Sequence, residues 1–453
     1  MRKRRFWGSL LAVALLALPA RGSSRAVPRP VIFIVLDTLR ADHLGFHGYE
    51  RDTSPNLDAF ARDSVAFKHA FTAAPWTPPS VVSMLTGLYA STHGHTPPNN
   101  RKEAKRAMTR LSPDLVTLPR VLRQQGYRTA AVSSNPWISP LFGFDRDFEI
   151  FEYLHKLPAG DILAGAVKVL DTLTRGEQPF FLYLHFFDPH DPYAPPEPYG
   201  AMFPPTLQRS KYEYGRRALP EIRRYDGEIR YLDDELGRLF AFLKQKGLYD
   251  QALIVIVGDH GEQFREHGMI HHGNALHNEE VHVPLFVRDP RSGRCPELVE
   301  QVVSTVDLFP TVLGQLGIPL PGERGPGLSL FGREALARRV GVLSEVRRIT
   351  DQRGFIGREG RKAIFEVPLL PEEDEAKRAE LWKQPSLVGL FDLEADYFEQ
   401  HPLDEGATLA RLRGKLEVGF HFASLHRTTP GSVPAAEMSE EMLDELRSLG
   451  YLQ

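Results

Sequence analysis

The run Val31-Ile32-Phe33-Ile34-Val35-Leu36-Asp37 decides the fold. Six consecutive apolar, mostly β-branched residues leave no polar face, which predicts a strand buried on both sides of a parallel sheet. Phe180–Phe187, Leu253–Val257 and Val283–Arg288 read the same way, and Thr129–Ser133 is a weaker member. Helical periodicity lies between them at Pro55–Arg62, Leu118–Gln125, Glu228–Lys244 and Val306–Leu316. Strand and helix in alternation predict an α/β fold around a mainly parallel sheet. After Pro319-Leu320-Pro321-Gly322 the pattern changes. Shorter strand candidates at Val340–Leu343 and Ala363–Val367, with helices expected at Ala407–Phe420 and Ser439–Leu449, predict a smaller α+β unit over 340–453. The larger unit would span 30–330.

The bulk numbers bound the class. The chain has 453 residues, 42% hydrophobic and 25% charged, enough for a large core and more than one typical domain holds. A net charge of −3 excludes a basic nucleic-acid binder. Gly and Pro, 37 and 36 residues without a period, exclude a collagen-like chain. One cysteine, Cys295, excludes an internal disulfide and a cysteine-rich metal site. At the N-terminus, Arg2-Lys3-Arg4-Arg5 precedes an apolar run from Phe6 to Ala20 and then small residues, the pattern of a signal peptide over 1–22. Its cleavage would take the basic residues from 55 to 50 against 58 acidic ones, a net charge of −8. The expected location is then periplasmic or extracellular, with contact to a membrane only where the segment stays uncleaved.

Three strands run into ligand-type residues: Asp37, Asp259-His260-Gly261 and Asp188-Pro189-His190. A single strand-end Asp is usually a cap for the next helix. Three together point to a site, because open α/β sheets bind ligands beyond the carboxyl ends of their strands. Six histidines crowd into 260–282. His260 and His272 are the functional candidates, whereas His267 and His282 read as solvated loop residues. In Trp76-Thr77-Pro78-Pro79-Ser80, Thr77 suits an N-cap, Pro78 the first helical position and Gly87 the helix end. That places the Thr77 hydroxyl where free N–H groups favour an anion.

These segments, in order, resemble the sulfatase family of the alkaline-phosphatase superfamily. Asp37-Thr38-Leu39-Arg40-Ala41-Asp42 is similar to its opening motif, and Leu85-Thr86-Gly87-Leu88-Tyr89 to its signature. Asp188-Pro189-His190, Gly258-Asp259-His260-Gly261-Glu262 and His272-Gly273 follow. Phe391-Asp392-Leu393 and Leu446-Arg447-Ser448-Leu449-Gly450 resemble the closing segments. The resemblance implies an alkaline-phosphatase-like fold and one divalent metal (calcium, manganese, magnesium or zinc) on Asp37, Asp259, His260 and Thr77. It implies His190 and His272 as further catalytic groups, and an anionic ester substrate such as a glycan, a lipid head group or a small molecule. A second metal on Asp188, His190 and His272 is a further reading, and Asn99 or Asn100 matches a family asparagine that contacts the ester. Arg40 is expected to pair structurally with a nearby carboxylate.

One departure is decisive for the chemistry. Active sulfatases convert a Cys or Ser in Cys/Ser-x-Pro-x-Arg to formylglycine, whereas this chain has Thr77 there and Val81 in place of the arginine. No formylglycine is expected. Phosphodiesterases and the lipoteichoic acid synthase type of phosphotransferase resemble the arrangement with a metal-bound threonine. The expected function is therefore a metal-dependent hydrolase or transferase of sulfate or phosphate esters, with phosphoryl chemistry favoured. The alternative is a catalytically silent relative that binds an anionic glycan or lipid.

Overall fold

The computed structural model describes residues 28–96, 108–207, 214, 217–322, 325–370, 374–404, 406, 414, 435 and 436. The N-terminal 1–22 segment, Asn99, Asn100 and the helices expected at 407–420 and 439–449 lie outside the described residues, apart from residue 414. No helix among the described residues is long and apolar enough to cross a membrane.

An eight-stranded sheet forms the centre. Its strands are β1 (Val31–Leu36), β2 (Val65–Phe71), β3 (Arg128–Ser133), β4 (Ile150–Tyr153), β5 (Phe180–Phe186), β6 (Leu253–Gly258), β7 (Leu285–Arg288) and β8 (Glu297–Ser304). They lie in the order β8-β2-β7-β6-β1-β5-β3-β4. All pairings are parallel except those of β7, which runs antiparallel to both β2 and β6. The sheet is thus mainly parallel, as expected, with one reversed strand inside it.

Period-two alternation divides β1 between two cores. Val31, Phe33 and Val35 face a layer built from α2 (Thr77–Thr86), α3 (Leu118–Gln124) and α6 (Leu308–Gln315). Ile32, Ile34 and Leu36 face α1 (Pro55–Arg62), α4 (Ala159–Leu173) and α5 (Ala218–Gln245). Every β1 residue is fully buried, which is why the sequence run has no polar face.

A smaller antiparallel sheet follows, with β9 (Gly341–Arg347), β10 (Asp351–Gly357), β11 (Arg361–Val367) and β12 (Ser386–Asp392) paired in sequence order. Phe355, Ala363, Phe365 and Leu390 pack on Ala73, Tyr89 and Val306, joining it to the central unit. Ser344 Oγ donates to the Thr72 carbonyl at 2.6 Å.

A buried ion pair fastens the segment after β12 to this frame. Lys362 Nζ lies 2.9 Å from Glu399 Oε1, and Glu399 Oε2 accepts the Asn278 N–H at 2.6 Å. Burial alone would raise the Glu399 carboxyl, but the Lys362 ammonium and His277 outweigh it and hold it at about 2. A depressed carboxyl stabilises the fold above its unfolded value, near 4.3, and stops doing so as pH falls through the folded value. The stability difference between the native protein and Glu399→Gln, measured by thermal melts, is therefore expected to be largest above about pH 4.5 and to shrink toward pH 2. An equal difference at both ends of that window would show that the pair contributes nothing through its charge.

Candidate metal and nucleophile site

The carboxyl ends of β1, β5 and β6 converge because these strands are neighbours in the sheet. Asp37 follows β1, His185 sits next to last in β5 and Asp259 follows β6. Asp37, His185 and Asp259 each offer one ligating atom, and these atoms lie within 4.8 Å of one another. All three side chains are fully buried.

His260 and Thr77 complete the cluster. His260 Nε2 lies 3.6 Å from Asp37 Oδ1, 3.5 Å from Asp259 Oδ2 and 3.2 Å from Thr77 Oγ1. The His260 Nδ1–H donates to the Gly261 carbonyl at 2.9 Å, so Nε2 carries the lone pair toward the two carboxylates. His185 has its Nδ1 against the Tyr183 hydroxyl at 2.8 Å and its Nε2 3.5 Å from Asp37 Oδ2. Asp259 Oδ1 is held by the backbone N–H groups of Thr38 at 3.1 Å and His260 at 2.8 Å.

The electrostatics of the bare cluster are unfavourable in one specific way. Burial pushes the Asp37 carboxyl well above its ordinary value, and burial together with Asp37 does the same to Asp259. Burial drives His260 well below its ordinary value and takes His185 to about 4, so both imidazoles are neutral. Asp37 Oδ1, Asp259 Oδ2 and His185 Nε2 are buried without a hydrogen-bond partner. Buried acceptors left unpaired are costly, and three aimed at one point fit a cation. Two carboxylate oxygens with two imidazoles form a mixed O/N donor set for a divalent ion.

Local chemistry explains how the chain builds this point. Gly261 is required there, since a Cβ would stand 1.9 Å from the Glu279 carbonyl oxygen. Thr38 adopts φ 52°, a strained value for a β-branched residue, and thereby turns its N–H onto Asp259. Its hydroxyl has no hydrogen-bond partner.

Thr77 is the first residue of α2 rather than its cap. Trp76 is the N-cap, and the Thr77 hydroxyl makes no capping bond, which leaves it turned to the cluster. Gly87 ends the helix at φ 72°, as expected. Ser80, one turn on, donates to the Asp259 carbonyl at 2.7 Å and pins the helix to the β6 end. Val81, at the family's arginine position, is buried in the core layer behind the helix.

Asn135, two residues past β3, was invisible in the sequence. Its Nδ2 donates to Asp37 Oδ2 and lies 3.5 Å from Thr77 Oγ1, while its Oδ1 accepts the Trp137 N–H at 2.7 Å. His185 had a signal, being the lone imidazole in an otherwise apolar buried run, Phe180-Phe181-Leu182-Tyr183-Leu184-His185-Phe186.

His272 and His190 lie beside the cluster. The His272 ring is centred 4.4 Å from that of His260 and 5.0 Å from that of His190. His190 stacks on Phe187 at 4.5 Å. Burial lowers both imidazoles well below the ordinary value.

Asp188, His190 and His272 do not bring three ligating atoms together, and the second metal reading is set aside among the described residues. Asp188 instead pairs with the Glu228 carboxyl, and burial raises both members of the pair. Arg40 is structural as expected: fully buried, it pairs with Asp42 at 2.8 Å and with Glu266.

His282 is buried, and His267 is half-buried and paired, rather than both being solvated loop residues. His267 Nδ1 meets Glu279 at 2.6 Å, and His282 binds the Tyr397 hydroxyl at 2.8 Å and the Lys68 carbonyl at 2.9 Å. Both carboxylate and tyrosine partners are remote in sequence, which hid their role.

A mainly parallel sheet with such a cluster at its strand ends is the setting in which open α/β proteins bind ligands. The family description "Sulfatase" matches residues 29–318, and the chain belongs to the sulfatase family. It is 28% identical over 384 residues to the multifunctional alkaline phosphatase superfamily protein PehA of Trinickia caryophylli, covering 64% of this chain and 74% of that one. It is 24% identical over 383 residues to an arylsulfatase of Clostridium perfringens, covering 66% and 77%. The crystal structure of the phosphonate monoester hydrolase of Agrobacterium radiobacter superposes with a TM-score of 0.68 at 20% identity, covering 91% of this chain and all of that one.

The donor set predicts one divalent ion per chain. Dialysed protein titrated with manganese or zinc is expected to melt higher, by about 2.7 kcal/mol of added stability at a hundredfold excess over Kd. His185→Ala should weaken that binding by at least about tenfold while leaving the metal-free protein folded. Unchanged affinity in His185→Ala would remove this residue from the ligand set.

Proposed function

We propose that the chain is a metal-dependent hydrolase of anionic phosphorus esters, with Thr77 as the nucleophile and sulfate esters as secondary substrates. The observation that carries this reading is the Thr77 hydroxyl at the junction of His260, Asn135 and the buried carboxylates, free of any capping duty. Asp37, Asp259, His260 and His185 would hold the ion. Bound there, it would lower the pKa of the adjacent hydroxyl and polarise the ester. Two imidazoles in the donor set favour manganese or zinc over calcium, which prefers oxygen ligands.

The remaining groups follow from their positions. Helix α2 presents Thr77 at its N-terminus, where its first N–H groups and dipole favour the anionic centre. Asn135 Nδ2 orients the hydroxyl and one carboxylate together. His190 and His272, kept neutral by burial, would bind around the ester, and the proton that Thr77 releases would pass through one of them or through solvent to the departing oxygen. Attack by Thr77 forms a covalent ester that water, or an acceptor alcohol, then cleaves.

A threonine ester lacks the second hydroxyl by which a formylglycine hydrate expels sulfate by elimination. It must be opened by attack at the central atom, which is workable at phosphorus. That asymmetry is the reason for placing phosphorus esters first. A silent relative that only binds an anionic glycan or lipid is the competing reading, favoured by Val81 at the arginine position.

Purified protein loaded with manganese or zinc and assayed on 4-nitrophenyl phosphodiester, phosphonate, phosphate and sulfate should prefer the phosphorus esters. Thr77→Ala should lower turnover by about a thousandfold or more, and Thr77→Ser should retain much of it. Turnover that survives Thr77→Ala intact would sink the nucleophile assignment, and sulfate turnover lost with Thr77 would overturn the preference for phosphorus. Metal binding with no turnover of any ester would leave the silent relative.

A further inference from the structure

The small antiparallel sheet packs against the central unit, and its first hairpin also reaches the candidate site. The turn between β9 and β10 carries Arg348, Ile349 and Thr350, closed by the Arg348 N–H on the Thr350 carbonyl at 3.0 Å. Two further bonds fasten this turn beside the imidazoles. Arg348 Nη1 donates to the His272 carbonyl at 2.9 Å, and Thr350 Oγ1 donates to the Asn274 carbonyl at 2.8 Å. The Arg348 guanidinium carbon also lies 5.7 Å from the centre of the Trp76 ring, within range of a cation–π contact. Gly273, at φ 73°, makes room for this closure. A Cβ there would stand 2.8 Å from Arg348 Nη1 and 3.2 Å from Trp76 Cβ.

Trp76 and His272 both border the cluster. Trp76 precedes Thr77, and the His272 ring is centred 4.4 Å from that of His260. A guanidinium that touches both stands at the rim of the site, where Arg348 is half-buried. Its charge is felt inside: after burial, Arg348 is the group that most lowers His272. The imidazoles bring donors without charge, since burial keeps His190 and His272 neutral. Val81, in the core layer, brings neither.

We propose that Arg348 is a specificity-determining residue, and that the substrate carries a second oxyanion on its organic part, which this guanidinium binds. The assignment rests on the reading of the cluster as an ester-hydrolysing site and adds the class of ester to it. An arginine keeps its charge at any working pH, and its planar fork offers paired N–H groups to the two oxygens of a carboxylate or similar group. Position decides which part of the substrate it meets. The reacting centre must lie at Thr77 Oγ1, whereas Arg348 stands outside it against Trp76 and Gly273, one group further out. The Trp76 ring and the His272 carbonyl already hold the guanidinium, so less side-chain freedom is lost on binding.

The test is a pair of aryl phosphonate monoesters that differ in one group, a carboxylate or the carboxamide of the same shape, on tethers of graded length from the ring. The metal-loaded protein is expected to favour the carboxylate about tenfold in kcat/KM at the best tether, chiefly through KM. Arg348→Gln should bring that ratio to about one, and Arg348→Lys should keep part of it. No preference at any tether length in the native protein would overturn the proposal. So would an equal loss on both esters in Arg348→Gln, which marks a residue that only holds the hairpin. A binding measurement separates these outcomes from failure of the parent reading. Arylmethylphosphonic acids with the same two groups have no ester bond to cleave. Calorimetry on Thr77→Ala should find the carboxylate form bound about tenfold more tightly, and no longer so once Arg348→Gln is added. Equal binding of the two acids would remove Arg348 from substrate recognition even where turnover depends on Thr77. Turnover that survives Thr77→Ala would instead fault the nucleophile and leave the Arg348 preference standing.

Discussion

Two carboxylates, Asp37 and Asp259, stand side by side at the ends of adjacent parallel strands with no solvent to share their charge. Each would cost several kcal/mol to bury ionised and alone. The protein surrounds them with only a few compensating donors: the amide of Asn135 on Asp37, and the backbone N–H groups of Thr38 and His260 on Asp259. The neutral imidazoles add lone pairs rather than protons. Such a set is stable with a cation in its midst, and the rest of the site is arranged around that need. The strained backbone at Thr38, the glycine at 261 and the Ser80 bond that draws α2 against the β6 end all serve to bring donors to one point.

The same constraint bears on the nucleophilic role proposed for Thr77. A hydroxyl placed at the edge of a buried divalent site needs no general base of its own, so threonine is a chemically sufficient choice. What threonine cannot do is leave by elimination, and this shifts the burden to protonation of the leaving group and to the attacking water. His190 and His272 stand beside the cluster, within reach of that burden.

Legibility in the sequence followed exposure. The central strands β1, β5 and β6 were readable because both faces are buried, so the apolar run is continuous. Outer strands were not: β2 carries Lys68 and His69, and β8 alternates Glu297, Glu300 and Gln301 with valines, as expected where one face is partly wet. The reversal of β7 was equally hidden, since a short apolar strand reads the same in either direction. In the site, Asp37, Thr77, Asp259, His260, His190 and His272 were legible from strand ends and family motifs. His185 hid inside a hydrophobic run, and Asn135 lay past the weakest strand. The partners of His267 and His282, Glu279 and Tyr397, sit more than ten residues away, so their pairing had no local signature.

The sequence by itself determined the class: an α/β sheet whose strands end in ligand-type residues, a threonine where a formylglycine precursor would stand, and a single cysteine. These are local facts, written in periodicity and in residue identity at motif positions. The tertiary structure is what brings Asp37, His185, Asp259 and His260 to one point and sets the hydrogen-bond partner of each imidazole. Those choices depend on strand order and on contacts between residues separated by tens to hundreds of positions, where no spacing rule reaches. Hydrogen-bond partners set the tautomer of an imidazole, and partners exist only once the chain has folded.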